Sequence, residues 1–171
     1  MNKKAKIIVI VACVAGALLT ALVAAFVVRE WLFSREYVPG DDEIAMFFVL
    51  DMQEDIGLIV FDYTVDGQEH GGGVSNADRS MIKKDDVIVD VWNKEHLKCD
   101  PSAAAVDLTV SLRIITEYVD PNFENIYPEE LTKRLEPVSW RAEFGRSYNV
   151  YISGSKAEGY KVSVEMRETG K

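Results

Sequence analysis

Residues 7–28 read IIVIVACVAGALLTALVAAFVV, an unbroken apolar run without a charged side chain. Its only hydroxyl is Thr20, so a helix built from it has no polar face to turn toward water. As a helix the 22 residues extend about 33 Å, against roughly 30 Å for the hydrocarbon core of a bilayer. A helix also satisfies each backbone N–H and C=O internally, which lipid demands. The sequence therefore predicts a single N-terminal transmembrane helix, Ile7–Val28, with the lipid bilayer as its partner. Lys3, Lys4 and Lys6 precede it, whereas Arg29 and Arg35 beyond it are offset by Glu30 and Glu36. The positive-inside rule places the basic stub 1–6 in the cytoplasm, and Trp31, Phe33 and Tyr37 suit the outer headgroup region.

The expected arrangement is a signal anchor in the cell membrane: single-pass, N-terminus cytoplasmic, C-terminal domain extracytoplasmic. Two alternatives also export the rest of the chain. Val23-x-Ala25 has the small residues of a signal-peptide cleavage site, but the apolar run continues through Phe26-Val27-Val28. Ile10-Val11-Ala12-Cys13 matches a lipidation pattern, but only six apolar residues precede Cys13. Within the span, Gly16, Ala17, Thr20, Ala21 and Ala24 bring small residues together at helical spacing. Such a face lets backbones approach closely, so a homodimer or a partner helix is the expected protein contact.

Residues 29–42 read as a juxtamembrane linker, with Pro39-Gly40 and Asp41-Asp42 as loop chemistry, and 43–171 as one extracytoplasmic domain. The residues after Val28 hold all 28 acidic side chains and 16 of the 19 basic ones, a net charge of −12. That charge argues against nucleic acid as a partner and against flat docking on anionic lipid. Cys13 and Cys99 are the only cysteines, so packing rather than a disulfide framework must hold the domain. Cys99 is expected to be buried or bridged to another chain. No Asn-x-Ser/Thr sequence occurs.

The domain reads as strands. Glu43–Met52 is rich in apolar residues, and Ile56–Val65 follows with Phe61, Tyr63 and Val65 alternating against Asp62 and Thr64. Asp66-Gly67 supplies a tight hairpin turn into Gln68–Val74, whose Gly71-Gly72-Gly73 suggests a bulge, an edge or a flexible loop. Val87–Trp92 reads as a strand with Val87, Val89 and Val91 on one face, and Val106–Val119 carries the longest alternation. Pro128-Glu129-Glu130 looks like the first turn of a short helix, 128–135, ended by Pro137. Three further strands are expected at 138–144, 147–153 and 160–165. The pattern predicts an all-β domain, an antiparallel β-sandwich of immunoglobulin-like kind, with one short helix.

Chemistry-bearing residues are sparse. His70 and His96 are the only histidines and have no zinc-ligand spacing around them. His70 reads as an exposed hairpin residue, and His96 with Cys99 three residues on forms a nominal nucleophile pair without catalytic context. Asp62-x-Thr64-x-Asp66-Gly67 echoes a calcium loop, but its twelfth position is Gly73; Asp120-x-Asn122-x-Glu124 ends on Leu131. Tyr148, Tyr151 and Tyr160 could offer an aromatic patch, although alternation sets Tyr148 and Tyr151 on opposite faces. No catalytic, cofactor-binding or metal site is assigned and no cofactor is implied. The expected function is a membrane-anchored extracytoplasmic binding or scaffold module. The alternatives are an extracytoplasmic enzyme, for which His70, His96 or paired acids would have to converge in a cleft, and a cleaved, secreted binding protein or inhibitor.

Overall fold

A computed structural model describes residues 37–117 and 128–168. The chain divides into two units, Met1–Tyr37 and Val38–Lys171, and the strands below belong to the second. Among the described residues no helix is long and apolar enough to cross a membrane. The expected span Ile7–Val28 with its small-residue face, Cys13, and the Asp120–Glu124 cluster lie outside the described residues.

The described strands are β1 (Glu43–Met52), β2 (Leu58–Val65), β3 (Gln68–Val74), β4 (Val87–Asn93), β5 (Ala105–Ile115), β6 (Thr132–Arg134), β7 (Val138–Glu143), β8 (Arg146–Ser155) and β9 (Gly159–Arg167). They form two sheets, one in the order β4-β1-β8-β9 and one in the order β3-β2-β5, with β6 and β7 sharing the far side of β5. The inner faces share one core: Ile44, Met46, Phe48 and Leu50 of β1 lie in the same buried cluster as Ile59 and Phe61 of β2 and Leu108 and Leu112 of β5. The domain is mostly β with two sheets, as the alternation predicts.

Two local expectations need correction. The first sheet is not wholly antiparallel, because β1 pairs with β8 in parallel, Ile44 opposite Arg146 through Met52 opposite Gly154. β1 is suited to that central place because it is apolar on both sides: Ile44, Ala45 and Met46 are fully buried and Phe47 is 4% exposed. On the outer face the Arg167 guanidinium covers the Phe47 ring at 4.3 Å.

The expected helix 128–135 is a single 3-10 turn, Glu129–Leu131, followed by strand β6. Pro128 and the two acids do start a turn, but the open end of β5 captures the chain after it, pairing Ile115 with Thr132 and Arg113 with Arg134. Leu135 then donates its N–H to the Leu112 carbonyl at 2.9 Å and is buried. Between Arg113–Arg134 and Val110–Val138, three residues oppose two, a bulge that accommodates Pro137 where a ladder N–H would otherwise be needed.

Which face of β4 turns inward is set by its pairing rather than by its alternation. Val87 and Val89 are 54% and 42% exposed, and the inward positions are Ile88, Asp90 and Trp92. The register with β1 decides this: Trp92 lies opposite Ile44 and Ile88 opposite Phe48, which both point into the core. The all-valine face looks outward, and an aspartate and a tryptophan face inward.

The far ends of the sheets are tied together. Trp140 of β7 meets Tyr148 of β8 with ring centroids 6.0 Å apart, and the Tyr148 hydroxyl accepts the Glu143 N–H at 2.8 Å. In the β1–β2 connection, the Glu54 carboxylate accepts both the Tyr160 hydroxyl and the Lys156 N–H.

Candidate functional site

β3 and β4 each end the strand order of their own sheet, and the space between them is a cleft of about 440 Å³. The hairpin sets its geometry. Asp66 (φ 47°) and Gly67 (φ 85°) both have positive φ, as the tight two-residue turn requires, and this fixes Val65 opposite Gln68. Tyr63 then faces His70 and Phe61 faces Gly72. A Cβ on Gly72 would lie 2.4 Å from the nearest atom of the Phe61 ring, so the glycine is what lets that ring lean across β3.

The Phe61 ring stacks on Phe48 of the opposite sheet, with centroids 5.5 Å apart. Beside it Tyr63 is held between two further rings, His70 at 5.2 Å with 11° between the planes and Trp92 at 4.3 Å with 13°. This three-ring stack runs from β3 through β2 to β4 and joins the two sheets at their open side. Trp92 donates its indole N–H to Asp90 Oδ2 at 2.7 Å, and Asp90 Oδ1 accepts the Val91 N–H at 3.1 Å. Burial first, and the Asp90 charge second, push the Tyr63 hydroxyl above its ordinary range, so Tyr63 stays a neutral donor. His70 Nε2 is buried and has no hydrogen-bond partner among the described residues. His96 lies at the rim, its N–H bound to Asn93 Oδ1 at 2.8 Å.

A second, smaller concavity of about 290 Å³ lies on the outer face of the β3–β2–β5 sheet, lined by Asp62, Thr64, Glu69 and Ser111 together with Tyr63 and His70. Asp62 is paired there with Arg113 at 2.9 Å.

The structure brings His70 and His96 to one cleft, and His70 is half-buried in a ring stack rather than exposed on its hairpin. Gly71–Gly73 form one wall of that cleft as strand rather than loop. Cys99 does not line it: its thiol donates to the Leu97 carbonyl at 3.5 Å and packs against the core. Burial, and behind it the Asp66 charge, push that thiol up, which makes it a poor nucleophile. The calcium-like segment is not a loop, since Asp62 and Thr64 sit in β2 and Asp66 Oδ1 accepts the Asp107 N–H at 3.2 Å. Among the described residues no three His, Cys, Asp or Glu side chains are grouped to hold a metal. Tyr148 and Tyr160 are buried and Tyr151 lies on the outer face, bonded to Asn149 at 3.1 Å, so the tyrosines form no common patch.

Asp90, Trp92, Phe61 and Tyr63 are the residues that sequence reasoning missed. The available signal was that Asp90 and Trp92, like Phe61 and Tyr63, are two apart on a strand and therefore share a face.

No family model matches the sequence, and no curated protein matches it. Among solved structures, pneumolysin is similar at 9% identity and a TM-score of 0.37, over 74% of this chain and 24% of that one. The human-specific toxin intermedilysin is similar at 11% identity and 0.34, over 75% and 24%. A structure described as a Gram-negative toxin is similar at 8% identity and 0.33, over 72% and 22%. The chain thus spans about a quarter of the length of these toxins. Likeness at this level adds nothing to what the chain's own sheets establish.

Proposed function

We propose that this chain is a membrane-anchored binding module, held by Ile7–Val28 with its β domain outside the cytoplasm, and that the cleft between β3 and β4 is where it binds. The immunoglobulin-like use of a sandwich, with a partner taken at one margin of the two sheets, is part of the proposal. The observation that carries it is the ring stack His70–Tyr63–Trp92 at that open side, with the Asp90 carboxylate beside it and a wall of bare glycine backbone opposite. Rigid aromatic rings with a few fixed polar groups in a concave place are the usual make-up of a binding site. The acidic domain favours a cationic partner over an anionic one.

The test is site-specific photo-cross-linking in intact cells, from position 96 at the rim of the cleft and position 163 on the exposed far strand β9. The proposal expects a discrete cross-linked product from position 96 alone, in a membrane fraction that retains Met1. Products of equal yield from both positions, or from neither, sink the binding site, and a mature N-terminus near Phe26 sinks the anchor.

A second reading draws on the same cleft. His70, His96 and Asp90 all line it, the convergence that an extracytoplasmic enzyme would need. Against it, Asp90 is committed to Trp92 and Val91, and Cys99, whose thiol burial pushes up, does not line the cleft. The secreted inhibitor reading shares the cleft with the first proposal and differs only in the fate of residues 1–28.

A further inference from the structure

We infer that the outer edge of β3 is a strand-addition site that takes an extended, basic segment of a partner protein. The inference rests on the proposed binding cleft and adds how the partner is held and what its chemistry is.

The backbone argument starts from register. Asp66 donates its N–H to the Asp107 carbonyl at 3.2 Å, so the even-numbered residues at this end of β2 turn their main chain toward β5. The odd-numbered ones turn toward β3, and across a two-residue turn Val65–Gln68 is a hydrogen-bonded pair, followed by Tyr63–His70 and Phe61–Gly72. Glu69, Gly71 and Gly73 alternate with these, so each aims its N–H and C=O away from β2. Among the described residues β3 pairs with no other strand, which leaves that row open.

Sheet edges are commonly blunted by lysine, proline, bulges or inward charges. β9, at the far edge of the first sheet, carries Lys161, Glu165 and Arg167. Gly71-Gly72-Gly73 carries none of these devices, and its lack of side chains lets another backbone come close.

Side-chain chemistry then selects the partner. An added strand alternates its side chains between the two faces, and each face of β3 has a concavity beside it. Inward-pointing residues meet the cleft with Asp90, Tyr63 and Trp92; outward-pointing ones meet the face with Asp62, Thr64 and Glu69. Gly71 lies directly opposite Asp62, and even a Cβ placed on it would sit 3.5 Å from the carboxylate oxygen. A lysine or arginine on the added strand can therefore pass over Gly71 to Asp62. Asp90 on one side and Glu69 on the other supply negative charge, with Asp62 shared between Arg113 and the incoming strand, so a basic segment fits and an acidic one is repelled.

The experiment uses the full chain in mild detergent and fluorescence anisotropy with three short probes: alternating lysine and threonine, alternating glutamate and threonine, and the lysine peptide with alternate backbone nitrogens methylated. The lysine peptide is expected to bind and to slow hydrogen exchange at the amides of Gly71 and Gly73. The other two are expected not to bind. Gly71→Pro removes one outward N–H without touching the bonds to β2 and is expected to weaken binding about tenfold. Asp62→Asn leaves the backbone ladder in place while removing the carboxylate charge and its ion pair with Arg113, and is expected to weaken binding about threefold. Equal binding of the methylated peptide overturns the inference. So does lysine-peptide binding unchanged by both substitutions, exchange protection on Val87–Val91 instead, or no binding of the lysine peptide at all. In each of these cases cross-linking from position 96 still judges the cleft by itself, so the two readings fail separately.

Discussion

Three adjacent glycines should respond differently to the same added methyl group. At Gly72 a Cβ would lie 2.4, 2.8 and 3.2 Å from three atoms of the Phe61 ring. That ring is 3% exposed, stacked on Phe48 at 5.5 Å and set against Trp92 at 5.8 Å, so moving it breaks both ring contacts. Moving it off its rotamer costs about 0.5–1.5 kcal/mol, and overpacking of this kind costs about 1–3 kcal/mol in total. The gain from stiffening the unfolded chain recovers only about 0.4–1 kcal/mol. Gly72→Ala should therefore destabilise the domain by about 1–2 kcal/mol. At Gly71 the nearest atom is Asp62 Oδ1 at 3.5 Å, an ordinary contact, and the backbone is not left-handed. Gly71→Ala should be neutral or stabilise by up to about 1 kcal/mol. Gly73→Ala falls between them, because Ile59 O stands 3.1 Å away and belongs to the backbone. Urea denaturation of the full chain followed by circular dichroism gives the order directly, provided the slope with denaturant is unchanged. A Gly72→Ala chain as stable as Gly71→Ala would refute the close approach of Phe61 and with it the packing that seats the ring stack.

Asp90→Ala leaves the buried Trp92 N–H without its acceptor and should cost about 1–3 kcal/mol, whereas Asp90→Asn keeps an acceptor and should recover most of that loss; urea midpoints of the two variants check this. Tyr160→Phe removes the hydroxyl bonded to the Glu54 carboxylate and should cost about 1.5–3 kcal/mol by the same assay, since hydrogen bonds to charged groups are the stronger ones. Burial pushes Tyr160, Tyr148 and Tyr63 above the ordinary value of 10.0, and the Glu54 bond adds to the shift at Tyr160. The folded chain keeps protons that the unfolded chain releases, so stability should hold below about pH 10 and fall as pH rises further; a titration of the urea midpoint should show that fall, and Tyr160→Phe should make it shallower.

Much of this architecture is legible in the alternation. β5 announces itself through Val106, Leu108, Val110, Leu112 and Ile114, which are all buried, and Asp66-Gly67 gives the hairpin with its register. What alternation cannot settle is phase at an edge. In Val87–Trp92 alternation puts the three valines on one face without saying which face is buried; pairing with β1 sets Asp90 and Trp92 inward, because a polar inner position is tolerable where the sandwich opens and the carboxylate can bond the indole. The site stays hidden for the same reason, since it needs Asp90, Trp92 and His70 on one side. The 3-10 turn at 129–131 shows the other limit: local helix-start chemistry was read correctly, and a long-range strand partner stopped the helix after one turn. The parallel β1–β8 pair links the first strand to the next-to-last, and nothing local in either strand signals it.

Both histidines of the chain line the cleft, which makes them reporters of its occupancy. The most direct test of the central claim compares carbethoxylation of His96, the exposed one, in intact cells and in the purified chain, with Lys161 on β9 as an internal reference. If the cleft is the binding site, His96 reacts severalfold more slowly in cells while Lys161 reacts at the same rate in both. Equal rates at His96 in cells and in the purified chain would contradict the account.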